Sequence, residues 1–287
     1  MRKIGIYYAF WTHEWDVDFL PFIPRVKKLG FDILEINGGT IVSWSEKKRQ
    51  ELIKIARDND VILSYGLGNT KEHDVSSPDE GIRTCGVKFM TDMIKAIGRM
   101  GGGVVEGSTY CAWPNKLPKG EDKRSYVEQS IKSMKELAPI AEDCNVILNC
   151  EVLNRFEQFV LNTCAEAIPF VEAIDSPNVG ILLDTFHMNI EEESLPGAII
   201  QAGHHLKGLH CGETDRKPVG MGRMPWKEIR EALDTIHFDG PIVEEPFVMQ
   251  GGQVGQDISV WREVIDHPDL DALAAQSAMY MKRVLVK

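Results

Sequence analysis

The chain has 287 residues, 43% hydrophobic and 26% charged, which suits one large domain or two small ones, with a core that needs no disulfide or metal staple. A formal net charge of −11 disfavours nonspecific nucleic-acid binding, which relies on basic surface to neutralise phosphates, and no run approaches the ~18 apolar residues of a membrane span. Cys85, Cys111, Cys144, Cys150, Cys164 and Cys211 form no CxxC pair, so reduced thiols are expected and a zinc-thiolate site is not.

The opening run, Met1-Arg-Lys-Ile-Gly-Ile-Tyr-Tyr, enters a strand-like pattern with no signal-peptide core, and a cytoplasmic location is the expectation. Lys3–Ala9 reads as a first strand. A helix over Asp18–Leu29 follows, with Leu20, Ile23, Val26 and Leu29 on one face. Pro21 and Pro24 belong in its first turn, where backbone amides have no intrahelical partner, and Gly30 suits its C-terminal cap. Asp32–Ile36 is a second strand and Ser45–Asn59 a second helix, with Leu52, Ile55 and Ala56 inward. Val61–Tyr65 is a third strand with Gly66–Asn69 as its exit loop. Pro78–Met100 is a third helix, capped by Ser77 and opened by a proline and two acids.

Gly103–Glu106 reads as a fourth strand, Gly107–Gly120 as a loop and Asp122–Asp143 as a fourth helix. Then come a strand at Val146–Cys150, a helix at Thr163–Ile174, a strand at Val179–Leu183 and a short helical stretch at Leu195–Gly203. Leu206–His210 is a seventh strand, Pro225–Ile236 a helix and Pro241–Glu244 an eighth strand. Gly255–Val286 holds one or two closing helices. Eight alternating units without a linker or a composition break predict an α/β fold, a (β/α)8 barrel, as one domain over residues 1–287 with a C-terminal helical extension. The competing doubly wound sheet would carry a glycine-rich phosphate loop after the first strand; Phe10-Trp-Thr-His-Glu-Trp15 stands there instead.

Four late strands each run into a residue able to bind a metal: Glu151, Asp184, His210 and the pair Glu244-Glu245. In a barrel these ends meet on one face. Three carboxylates and an imidazole make a hard donor set suited to Mn²⁺, Mg²⁺ or Co²⁺, and unpaired carboxylates so placed would repel one another without a cation. Taken singly, an acid after a strand is as often a cap or a salt-bridge partner; four strands in succession are not explained that way. Side-chain alternation leaves the choice between Glu244 and Glu245 open. Glu157, His187 and Arg216 cluster just beyond these positions, and Tyr7, Trp15, Trp113 and Phe247 lie at strand exits, where rings can exclude water and stack on a small polyol.

These residues lie in segments that resemble the ketose 3-epimerases, the D-psicose (D-allulose) and D-tagatose 3-epimerases. The segments are Gly5-Ile-Tyr-Tyr with Trp11–Trp15, Cys150-Glu-Val-Leu-Asn-Arg-Phe-Glu157, Leu183-Asp-Thr-Phe-His-Met-Asn-Ile-Glu-Glu192, His210-Cys-Gly-Glu-Thr-Asp-Arg216, Gly220–Trp226 and Glu245-Pro-Phe247. The resemblance implies a xylose-isomerase-like barrel. Glu151, Asp184, His210 and Glu245 would hold a divalent metal, Mn²⁺ or Co²⁺ first and Mg²⁺ as a further option, which favours Glu245 over Glu244. Glu157, His187 and Arg216 would hold the ketose oxygens around C1 to C3, and Tyr7, Trp15, Trp113 and Phe247 would wall the pocket. It also implies a dimer or tetramer. Met100–Ala112, which includes Cys111, departs most from the pattern and with Gly66–Asn69 leaves the preferred sugar open.

The chemistry fits independently. The C3 proton of a 2-ketose is acidified through the C2 carbonyl, and a divalent ion at O2 and O3 would favour the enediolate charge. Inverting C3 takes proton removal on one face and return on the other, so two carboxylates are expected, Glu151 and Glu245. The resemblance makes interconversion of D-fructose and D-psicose the expected reaction, with D-tagatose or L-ribulose as alternative substrates. The competing readings are an aldose–ketose isomerase or dehydratase on the same barrel, a metal phosphodiesterase, and a noncatalytic sugar-binding protein.

Overall fold

The structure, a computed structural model, describes residues 1–286. In chain order its elements are β1 (Ile4–Tyr7), α1 (Phe22–Leu29), β2 (Ile33–Asn37), α2 (Gly38–Val42), α3 (Glu46–Asp58), β3 (Ile62–Asn69), α4 (Glu80–Arg99), β4 (Gly103–Ala112), α5 (Lys123–Asp143) and β5 (Val146–Val152). They continue with α6 (Cys164–Ile174), β6 (Val179–Asp184), α7 (Thr185–Glu191), α8 (Leu195–Ala202), β7 (Leu206–Cys211), α9 (Trp226–Thr235), β8 (Ile242–Glu244), α10 (Gly252–Asp257) and α11 (Leu270–Val284). The strands pair in parallel in the order β1 to β8, and β8 closes on β1. The expected (β/α)8 barrel is the fold, with α10 and α11 as its C-terminal extension. Among the described residues no helix is long and apolar enough to cross a membrane.

The barrel forms because each strand is apolar on the side that meets the helices. Ile4, Ile6, Leu34, Ile36, Val105, Leu148, Ile181, Leu183, Leu209 and Ile242 are essentially inaccessible. Local signals set most helix starts. Ser45 Oγ accepts from Lys48 N, Thr163 Oγ1 from Glu166 N, and Asp122 Oδ1 from Arg124 N, each satisfying an amide that the helix cannot. Pro21 and Pro24 stand at the start of α1 as expected, and Gly30 ends it at φ +103°, a left-handed conformation that glycine adopts without steric cost.

Several boundaries differ from the sequence reading. The first strand stops at Tyr7, and Tyr8–Trp11 turn as a 3₁₀ helix. Gly66–Asn69 and Gly107–Ala112, read as loops for their glycines, continue β3 and β4 through a register shift. Asp79 rather than Ser77 caps α4, because its carboxylate reaches both Gly81 N and Ile82 N; Ser77 Oγ accepts one step earlier, from Asp79 N. Along α3, Leu52 and Ala56 are buried, whereas Ile55 is only half-buried. The helices α2 and α7 are additional, each capped by the polar residue that ends the preceding strand, Asn37 and Asp184.

The barrel lumen departs from the usual stack of branched apolar side chains. In-register partners on neighbouring strands share a face. Tyr7 pairs with Glu35, Glu35 with Ser64, Gly66 with Glu106, Asn149 with Gly180, and Leu182 with Gly208. Glu35, Ser64, Glu106 and Asn149 are buried and linked by hydrogen bonds, so the middle of the lumen is polar.

Candidate metal centre and active site

Strand register brings the four predicted metal ligands together. Glu151 pairs with Leu182, Asp184 with His210, and His210 with Val243. Leu182 and Asp184 share a strand face, as do Val243 and Glu245, so Glu151, Asp184, His210 and Glu245 all point inward. Each offers a donor atom, and these atoms lie within 4.8 Å of one another. Glu244 pairs with Cys211 and Ile6 on the opposite face, where its carboxylate accepts from Ser277 Oγ of α11 and from Val219 N. Register therefore decides between the two glutamates where periodicity cannot.

The donor atoms fit a divalent cation. Glu151 Oε1 and His210 Nδ1 are buried, 3.8 Å apart, and have no hydrogen-bond partner. Leaving such groups unmatched costs about 1–3 kcal/mol each, more for a charged one. Burial pushes Glu245 up to about 8, with Glu151 and Asp184 adding to the rise and His210 and Arg216 opposing it. The protein's own cations thus do not offset burial at Glu245, where a divalent ion would supply the missing positive charge.

Arg216 closes one side. Its Nη1 lies 3.1 Å from Asp184 Oδ2 and 3.0 Å from Glu245 Oε2, and its Nη2 lies 3.3 Å from His187 Nε2 and 4.0 Å from Glu157 Oε1. The guanidinium packs over the rings of Phe186 at 4.1 Å and Phe247 at 5.3 Å. Arg216 has φ +62°, a left-handed conformation that costs a side-chain-bearing residue about 1–3 kcal/mol. Its amide donates to Glu213 O, its carbonyl accepts from Phe247 N, and the loop behind it is pinned by Glu213, whose carboxylate accepts from Gly220 N, Met224 N and Trp226 Nε1.

Glu157 accepts from Trp113 Nε1 at 2.9 Å and Asn154 Nδ2 at 2.9 Å. Burial alone would raise its pKa, but His187, Arg216 and these two donors together hold it below the ordinary carboxylate value. Asn154 Nδ2 also lies 2.7 Å from His187 Nδ1, which ties the β5 and β6 exits together.

Around these groups lies a cavity of about 300 Å³, at the lower end of the ~300–1,000 Å³ typical of small-molecule sites. Glu151, Glu157, His187, His210, Arg216, Glu245 and the four predicted aromatics all line it, while Asp184 sits behind, fully buried. Trp15 packs edge-on to Trp113 and Phe247, and its Nε1 donates to Asp257 Oδ2 of α10 at 2.7 Å. Cys111 is buried behind the wall, where Ser108, which does line the cavity, donates to its carbonyl. Arg155 turns away to a bidentate ion pair with Glu191, a structural role.

The sequence reading missed Glu35 and Glu106, which line the cavity floor against His210. The signal was present: each is a lone acid inside an apolar strand run, Ile33-Leu-Glu-Ile and Val104-Val-Glu, where burial demands a partner.

The description "xylose isomerase-like TIM barrel" matches residues 23–269. The D-psicose 3-epimerase of Ruminiclostridium cellulolyticum is 44% identical over 287 residues, which cover 99% of this chain and 98% of the relative. A crystal structure of D-psicose 3-epimerase with D-tagatose, from Clostridium cellulolyticum H10, superposes with a TM-score of 0.97 at 44% identity over 99% of both chains. One of D-psicose 3-epimerase in the presence of D-fructose also gives 0.97, at 39% identity, covering 99% of this chain and 100% of the other. Barrel, inward-facing acids and near full-length identity agree, and the chain belongs to the ketose 3-epimerases of the xylose isomerase-like TIM barrel family.

Proposed function

We propose that this chain, acting as one barrel domain, epimerises free ketohexoses at C3, with D-fructose and D-psicose as the preferred pair. One observation carries the reading: two carboxylates from non-adjacent strands, Glu151 near the end of β5 and Glu245 just after β8, face one cavity with Asp184 and His210 between them. Glu151, Asp184, His210 and Glu245 would hold a divalent ion, Mn²⁺ or Co²⁺ in preference to Mg²⁺. When bound, that ion would supply Lewis-acid charge to favour the developing enediolate.

The chain's own groups do the rest. One of the two glutamates takes the C3 proton, the C3–H bonding pair becomes the C2–C3 double bond of an enediolate, and the C2=O π pair moves onto O2, to return when C3 is reprotonated. The other glutamate delivers a proton to the opposite face of C3. The first is left protonated and the second ionised, so the pair must re-equilibrate with solvent before the next turnover. Their roles exchange for the reverse reaction. Arg216, His187 and Glu157 hold the O1-to-O3 end, while Tyr7, Trp15, Trp113 and Phe247 keep water from the intermediate. The relatives studied with D-tagatose and D-fructose support a ketose ligand. We place the protein in the cytoplasm as a homo-oligomer.

The test is turnover on D-fructose, D-psicose, D-tagatose and L-ribulose in parallel, after chelation and with Mn²⁺, Co²⁺ or Mg²⁺ restored. Chelation should abolish activity, Mn²⁺ or Co²⁺ should restore it, and reaction in D₂O should place deuterium at C3. An aldose product would make the protein an isomerase. Near-normal turnover of Glu151→Gln or Glu245→Gln with the ion bound would overturn the two-carboxylate scheme.

A further inference from the structure

Beneath His210, on the lumen side away from the cavity mouth, two glutamates meet the ring. Each is held in the same way. Ser64 Oγ donates to Glu35 Oε2 at 2.9 Å, and Asn149 Nδ2 donates to Glu106 Oε1 at 3.1 Å. That anchors one oxygen of each carboxylate. The other oxygens, Glu35 Oε1 and Glu106 Oε2, have no hydrogen-bond partner and lie 3.2 Å and 3.5 Å from His210 Nε2. Nε2 is within reach of both oxygens, and neither contact has hydrogen-bond geometry in the ring's present orientation. Both glutamates are fully inaccessible to solvent. Glycines on β7 and β3 make room for them: a Cβ at Gly208 would fall 2.1 Å from Glu106 Oε1, and one at Gly66 would fall 3.1 Å from Glu35 Oε1.

Two buried carboxylates whose free oxygens converge on one ring nitrogen are costly unless that nitrogen carries a proton for them. If Nε2 holds the proton, Nδ1 is the nitrogen with the lone pair, and Nδ1 is the one that faces Glu151. We propose that Glu35 and Glu106 are positioning residues for His210: as a pair they accept its Nε2–H, fix the ring's tautomer and orientation, and so present Nδ1 to the divalent ion. A histidine ligand that donates its other N–H to a carboxylate is a stronger and better-aimed donor. The inference rests on His210 being a metal ligand, as proposed above. It adds that affinity for the ion is set partly by two residues that do not touch it.

The experiment is Mn²⁺ titration of the chelated full-length chain, followed by calorimetry and by electron paramagnetic resonance, with no sugar present. The wild-type chain should bind one Mn²⁺, and Glu35→Gln and Glu106→Gln should each weaken binding about 10- to 100-fold. Thermal unfolding of the chelated variants separates this from a structural role, which would lower the midpoint and leave Mn²⁺ affinity unchanged. If Glu35→Gln does not fold, Glu106→Gln makes the same measurement. Nitrogen-15 spectra of the Mg²⁺-loaded wild type should show His210 protonated on Nε2. Unchanged Mn²⁺ affinity in folded variants, or a proton on Nδ1, would overturn the proposal. So would a second Mn²⁺ in the wild type that the variants lose, since the glutamates would then be a cation site themselves. No Mn²⁺ binding by the wild type would remove the metal assignment and this inference together.

Discussion

Arg216→Lys isolates geometry from charge. The guanidinium uses one nitrogen for Asp184 and Glu245, at 3.1 and 3.0 Å, and turns the other toward His187 and Glu157. A lysine keeps the positive charge but brings one ammonium on a thinner stem and cannot span both sets. Losing one charge-assisted contact costs about 1.5–3 kcal/mol, and losing the packing over Phe186 about 0.5–1 kcal/mol. The sum, about 2–4 kcal/mol, corresponds to a fall in kcat/KM of roughly 30- to 1,000-fold. Steady-state kinetics on D-psicose with saturating Mn²⁺ would measure it, with the thermal midpoint as control for folding. Because the charge stays, Mn²⁺ affinity should change little. Activity within about threefold of wild type would refute the idea that the fork orients the substrate end, and a large loss of Mn²⁺ affinity would show Arg216 acting through the ligands instead.

Three further outcomes are expected. Gly208→Ala forces a methyl group into Glu106 Oε1 and Asn149 Nδ2 at the barrel centre, so it should cost about 1–3 kcal/mol in denaturant unfolding; an unchanged midpoint would show that the polar lumen yields easily. Trp113→Phe removes the Nε1 donor to Glu157 and should raise KM for ketose more than it lowers kcat, with the reverse pattern counting against a binding role. Burial pushes Glu244 up to about 8 from an ordinary value near 4.5, so the folded chain binds this proton more tightly than the unfolded one. Its contribution to stability is complete below pH 4.5 and fades as pH rises through about 8. Glu244→Gln, unable to ionise, should therefore lose less stability than wild type between pH 6 and pH 9, by on the order of a few kcal/mol, in urea melts at both pH values; parallel losses would refute the assignment.

Much of the site was legible because a barrel strand needs a continuous apolar outer face, and a charge that abruptly ends such a run stands out. Glu151, Asp184 and His210 were found that way. Glu244 and Glu245 could not be separated by alternation alone, because both faces of β8 are buried and the choice depends on register with β7. The late ends of β3 and β4 were hidden by glycines, which local propensity assigns to turns and which here let Tyr7, Trp113 and the backbone of Leu67 approach closely. Glu35 and Glu106 were overlooked because they lie inside strands rather than at their ends. The short helices α2 and α7 are too brief to show a periodicity, although their caps, Asn37 and Asp184, were visible.

The seam between β8 and β1 carries a further consequence. The cavity roof is shared by two segments far apart in sequence: Val254 N donates to His13 O, and Asp257 accepts from Trp15. The same seam is riveted from below, where the Arg2 guanidinium donates to Phe238 O, Leu285 O and Asp234. These contacts close the longest loops in the chain and are entropically the most expensive to form early. During refolding, the strands β2 to β7 can assemble locally while the roof is still missing. Return of catalytic activity should therefore follow closure of the ring rather than recovery of helical signal, which makes turnover a reporter of the last topological event in folding.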